Sequence, residues 1–164
     1  MTEPARNARN AQRLTECYPW FGIKVAKLIA ALEADGERPR IQDAWRSEAQ
    51  QIAAFIAGTS KLRYGFHNVT GPHGEKHALA VDLLDDDHPI DAPRAYVLRL
   101  AHHARRLRLM TGLTWGLPDK LAAAANIAAD ALDLTYHGPL GWDRCHVQVA
   151  GLTPTQVKHG ARPS

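Results

Sequence analysis

The stretch HALAVDLL at 77–84 constrains the chain most, because it is apolar on both faces. A strand of that kind belongs deep in a sheet, covered from both sides. Its one charged residue is Asp82. A carboxylate in the middle of an apolar strand is costly unless it is paired or bound to metal. Asp82 therefore marks either a structural ion pair or a site. Asp85, Asp86 and Asp87 end the strand and read as a solvated turn.

The neighbouring segments place this strand in a mixed fold. Val25, Leu28, Ile29 and Leu32 recur at helical spacing and Gly36 closes the segment, with Pro19 marking a boundary that starts the long helix near Phe21. PRIQDAW, 39–45, reads as a short strand. Ser47 with Gln50 three residues on forms a capping-box pattern for a helix to about Ala57. Residues 58–76 are punctuated by Gly58, Gly65, Gly71, Pro72 and Gly74; so long a loop in a compact domain is usually functional or disordered. An amphipathic helix is expected over 92–110, a short strand at 113–115 (LTW), an alanine-rich helix over 118–132 and a last strand at 146–152. The pattern is α+β, a small antiparallel sheet with flanking helices. Residues 1–164 read as a single domain, with 1–9 and 153–164 as flexible ends.

Composition excludes several classes. Twenty basic against seventeen acidic residues give +3, too mild a charge to argue for nucleic acid, although a pI near 9 suits contact with an acidic polymer. Cys17 and Cys145 make no disulfide framework and no C-x-x-C pair. The opening MTEPARNARNAQRLTE lacks the apolar core of a signal peptide, and no apolar run is long enough for a bilayer span. The expectation is a monomer made in the cytoplasm.

Nine histidines, several near carboxylates, invite a metal hypothesis. In GWDRCHVQV, 141–149, Asp143 and His146 are three apart, and a turn before the strand would aim both at one point. Neutral imidazole is a favoured zinc ligand. A carboxylate beside the metal can take a proton from bound water and return it to a leaving amine. In RYGFHNVTG, 63–71, His67 precedes the glycine-rich loop. Each piece alone is weak: D-x-x-H is common by chance, and a lone loop histidine is ordinarily just that.

Together the pieces resemble the M15 family of zinc metallopeptidases. This family comprises D-alanyl-D-alanine carboxypeptidases, vancomycin-resistance dipeptidases and phage L-alanyl-D-glutamate endopeptidases, which share a fold with the hedgehog signalling domain. The family signature is S-x-H-x-x-G-x-A-x-D followed by [DE]-x-x-H. Here Gly65-Phe66-His67 matches the start, Ala78 to Asp82 the end, and Asp143 to His146 the second part. AWRSEAQQ, 44–51, is similar to the family's R-S-x-x-x-Q segment, and TGLTWG, 111–116, to its G-L-x-W-G strand. The likeness runs from about residue 19 to 150. It departs from the pattern in spacing: the family separates its His and Asp by seven positions, whereas His67 and Asp82 are fifteen apart, implying an eight-residue insertion. Gly65 stands for the usual Ser, Ala78 for Gly, Cys145 for Pro and Gln148 for an acidic residue.

The resemblance implies a Zn2+ site held by His67, Asp82 and His146, with Asp143 as general base. Arg46 would stabilise the oxyanion or grip a substrate carboxylate through its planar fork. Tyr64 and Trp115 are expected to line the cleft; Trp142 could equally be core, and His137 could donate a hydrogen bond. His73 or His77 stays open as a replacement for His67, although period-two alternation along the expected strand sends His77 and Asp82 to opposite faces. Cys145 reads as buried and inert. The implied activity is hydrolysis of peptidoglycan stem peptides, as an L-alanyl-D-glutamate endopeptidase of phage endolysin type, acting on the wall after phage-mediated release, or as a D-alanyl-D-alanine carboxypeptidase. Two alternatives remain: a non-catalytic zinc-containing module that binds wall peptides or builds a phage particle, and an unrelated α+β protein with scattered histidines.

Overall fold

The computed structural model describes residues 1–164 and has the expected α+β architecture. Four strands, β1 (Pro39–Asp43), β2 (Ala80–Asp85), β3 (Leu109–Gly112) and β4 (Asp143–Val149), form one antiparallel sheet in the order β1-β2-β4-β3. The apolar segment is therefore a central strand, flanked on both sides. Val81, Leu83, Val147 and Val149 are fully buried and join the core. On the neighbouring strands Asp82 pairs with His146 and Ala80 with Gln148, so alternation places Asp82, His146 and Gln148 together on the other face.

Helices supply the rest of the core. The helix α2 (Pro19–Ala34) buries Phe21, Val25, Leu28, Ile29 and Leu32. The helix α4 (Arg94–Arg106) buries Tyr96, Val97, Leu98, Leu100, Ala101 and Ala104, and Tyr96 donates its hydroxyl hydrogen to Leu83 O at 2.9 Å. The helix α5 (Asp119–Asp130) contributes three buried alanines. The helix α3 (Glu48–Ile56) starts with the expected capping box: Gln50 N donates to Ser47 Oγ, and Ser47 N to Gln50 Oε1. No helix is long and apolar enough to cross a membrane.

Four expectations need correction. Residues 1–9 are not a loose arm; they lie in helix α1 (Glu3–Leu14). Its buried residues are Arg6 and Asn10, and they cap the sheet edge: Arg6 and Asn10 both donate to Pro39 O, and Ile41 N donates to Asn10 Oδ1. An edge strand must have its free backbone groups covered, and here polar side chains do it. The tail is not wholly irregular either: α6 (Pro154–Lys158) begins on a Thr153–Gln156 capping box and buries Val157. The third strand is LMTG rather than LTW, because the chain turns at Leu113–Gly116, where Gly116 takes φ +81°. The acidic run is not a solvated turn. Asp85 and Asp86 are buried, Asp86 is ion-paired to Arg40 at 2.8 Å, and Asp85 accepts hydrogen bonds from Asp87 N and the His88 ring.

Candidate metal centre

His67 sits in a 3-10 turn, Phe66–Asn68, that is stapled to the end of β1. Arg46 N donates to His67 O, Asn68 Nδ2 donates to Arg46 O, and Gly65 N donates to Asn68 Oδ1. The ring is fixed by its Nδ1, which lies 2.5 Å from Ala44 O. A carbonyl can only accept, so Nδ1 carries a proton and Nε2 is the ring nitrogen left to face the site. That Nε2 is buried, makes no hydrogen bond, and lies 3.5 Å from Asp82 Oδ1.

His146 is oriented from the other side. Its Nε2 is 3.1 Å from Gln148 Oε1, two residues on along β4. Its Nδ1 is 3.1 Å from Asp82 Oδ1 and 3.8 Å from Asp143 Oδ2. The two imidazoles meet edge to face, with centroids 5.2 Å apart. One ligand atom from each of His67, Asp82 and His146 falls within 4.8 Å of the other two, so the group can hold a metal ion. The second ring nitrogen of each histidine rests on a protein oxygen, the outer-sphere support that metal-binding histidines typically have.

The electrostatics follow from this crowding. Burial opposes ionisation of Asp82, but the two histidines outweigh it and hold the carboxyl well below its usual range. Burial likewise opposes a charge on His146, yet Asp82, with Asp143 behind it, raises that histidine above its ordinary value. A metal ion binding here would have to displace that proton. Asp143 behaves oppositely: burial, aided by the charge of Asp82, pushes its carboxyl up despite His146, His67 and Arg46.

Asp143 reaches the site because β3 and β4 lose register there. Thr111 pairs with Val147, but Gly112 pairs with Asp143, so extra β4 residues bulge and turn the strand start inward. The bulge depends on Gly112, where an added Cβ would stand 1.9 Å from Asp143 O.

The triad opens into a cleft of about 340 Å³ whose lining includes Arg46, Gln51, Lys61, Trp115, Trp142, Asp143 and Gln148. Trp115 packs its ring 4.9 Å from that of His146, and Trp142, half exposed, leans on Trp115. Trp142 is thus a cleft wall and not core. Arg46 is at the site, but two of its nitrogens are committed. Nη2 lies 2.5 Å from Asp82 Oδ2 and 2.9 Å from Asp43 Oδ2, and Nε also donates to Asp43.

Other candidates fall elsewhere. Tyr64 does not line this cleft; it borders a separate cavity with Tyr18, His77, Lys158 and Arg162. His77 stacks edge-on against Tyr18 there, and His73 is exposed on the inserted hairpin, so neither replaces His67. His137 is exposed and outside the cleft lining. Cys145 alternates to the core side of β4 from His146, and burial pushes its thiol up to about 12, which leaves it inert. Sequence reasoning gave no functional role to Gln51, Lys61 or Gln148. Gln148 was detectable in principle, since it stands two residues after His146 on one strand face.

No family model matches the chain, and no curated protein matches it.

Proposed function

We propose that the protein is a zinc-dependent peptidase with a hedgehog/DD-peptidase-like fold, acting on peptidoglycan stem peptides. The bond cut would be L-alanyl-D-glutamate, as in a phage endolysin, or D-alanyl-D-alanine, as in a carboxypeptidase. One observation carries the reading: the buried, unpartnered Nε2 of His67, aimed at the carboxylate that His146 also faces. A purely structural His146–Asp82 hydrogen bond would explain one histidine but would leave the other with an unsatisfied buried nitrogen, which proteins avoid. Two imidazoles and one carboxylate are a donor set suited to zinc and leave a coordination position open.

A zinc ion held there would supply Lewis acidity and lower the pKa of a bound water. The protein's own groups supply the rest. Asp143, next to the triad and with its carboxyl raised by burial, is placed to take a proton at Oδ2 from the attacking water and deliver it to the leaving amine. Arg46 holds Asp82 and Asp43 in place and keeps Nη1 for a developing oxyanion. Trp115 and Trp142 shield one wall from solvent. Mass spectrometry of purified wall digested with the protein tests the reading. New stem-peptide fragments that appear with wild type and disappear with Asp143→Ala support it. An unchanged wall, with metal present, would leave only a binding module.

A further inference from the structure

The cleft contains two cations, and they are not equivalent. Arg46 is pinned between Asp43 and Asp82. Lys61 lines the same cleft and has no carboxylate partner; its ammonium stands over the Trp142 ring, 5.8 Å from the centroid, from the opposite wall. An exposed lysine on a free loop would be unremarkable, but this loop is braced on both sides of Lys61. Gln51, buried on α3 with 2% exposure, donates its amide hydrogens to Ser60 Oγ at 2.8 Å and Leu62 O at 2.6 Å. Ser60 Oγ also donates to Leu62 O and accepts from Leu62 N. The side chain that holds this turn is itself buried, and α3 starts from the capping box directly after Arg46. One buried side chain therefore braces the turn on both sides of Lys61, and the lysine ammonium faces the Trp142 ring.

We infer that Lys61 is a specificity-determining residue that selects peptides carrying a free carboxylate beside the bond offered to the triad. The inference rests on the peptidase reading of the cleft. With Arg46 neutralised by two aspartates, an incoming carboxylate finds its one uncompensated protein cation at Lys61. Trp142 supplies the apolar floor on which the lysine stem and the peptide backbone rest.

Calorimetric titration with L-alanyl-D-glutamate amidated at its γ-carboxyl, an acid that keeps one free carboxylate, and with the diamide tests this. Wild type is expected to bind the acid about tenfold more tightly than the diamide, the size of one charge-assisted hydrogen bond. Lys61→Met should bring the two to parity, Lys61→Glu should reverse the preference, and diamide affinity should be unchanged in Lys61→Met. Lys61 is exposed, so both variants should keep the wild-type melting temperature. On acidic stem peptides Lys61→Met should raise KM and leave kcat alone. An acid preference that survives in Lys61→Met, or wild type that binds both ligands equally or neither, overturns the inference. Failure of the peptidase reading looks different: Lys61-dependent binding of the acid persists while digested wall yields no cut stem peptide.

Discussion

Gly112→Ala tests how Asp143 is delivered to the proposed metal site. The new Cβ would sit 1.9 Å from Asp143 O and 2.7 Å from Asp143 C, both backbone atoms that cannot swing aside. Reaching the 3.0 Å that real Cβ atoms keep requires β3 and β4 to separate by about 1.1 Å at this point. Overpacking of this kind costs about 1–3 kcal/mol, which in a chain of this length lowers Tm by roughly 2–12 °C. The larger effect is on geometry. Asp143 would move away from His146 Nδ1 by a distance comparable to the strand separation, and a 1 Å misplacement can cost on the order of 100-fold in rate. His146 lies further along β4, where its pairing with Asp82 is regular, so the proposed ligands stay in register. The expected result is a protein that keeps one metal equivalent, melts a few degrees lower, and releases wall fragments about 100-fold more slowly. Wild-type activity and Tm in Gly112→Ala would refute the claim that the close approach at the bulge positions the base.

Three further outcomes follow from the site and its surroundings. Gln148→Ala removes the oxygen that fixes the His146 tautomer and should weaken zinc binding about 10–100-fold in a chelator competition, with secondary structure unchanged. Because the folded state raises the Asp143 pKa, its charge destabilises the metal-stripped protein above that pKa and not below the ordinary carboxylate value. Asp143→Asn should therefore raise Tm of chelated protein at pH 7, with the gain vanishing below about pH 4. Glu16 is the reverse case: burial opposes its charge, but Lys76, Arg13 and the Trp45 amide outweigh burial and lower its pKa, so it stabilises above its unfolded pKa and ceases to as pH falls through the folded one. Glu16→Gln should cost about 1–2 kcal/mol in urea melts at pH 7 and nothing once both forms are neutral at low pH.

What could be read from the sequence divides along a physical line. Elements defined by apolar pattern were legible: the central strand around Val81 and Leu83, the α2 core stripe and the α3 capping box. Elements held by polar contacts were not. Helix α1 presents Arg6 and Asn10 to the β1 edge, and a composition rich in Arg, Asn and Gln looks the same whether it coats a sheet edge or lies in solvent. The same blindness hid the burial of Asp86, whose partner Arg40 lies far off in sequence, whereas Asp85 is satisfied locally by Asp87 N and the His88 ring. In the site, the triad His67, Asp82 and His146 was legible because it rests on motif order, which survives a loop insertion. The structure groups His67 with Asp82 and leaves His77 out, though not through strand alternation: β2 begins only at Ala80, so His77 lies outside it, in the inserted hairpin. Tyr64 was misplaced because adjacent residues of the turn face different cavities, with Gly65 and Phe66 on the cleft and Tyr64 on its neighbour. The bracing of Lys61 by Gln51 left no local signature, since it joins a helix to a loop through one buried amide.

Anomalous diffraction at the zinc absorption edge, from crystals grown with one equivalent of zinc, bears most directly on whether this fold carries a metal centre. The account predicts a single peak about 2.0–2.2 Å from His67 Nε2, an Asp82 carboxylate oxygen and His146 Nδ1, with Asp143 nearby but not a ligand. Zinc bound elsewhere, or no peak between the two imidazoles, would contradict it.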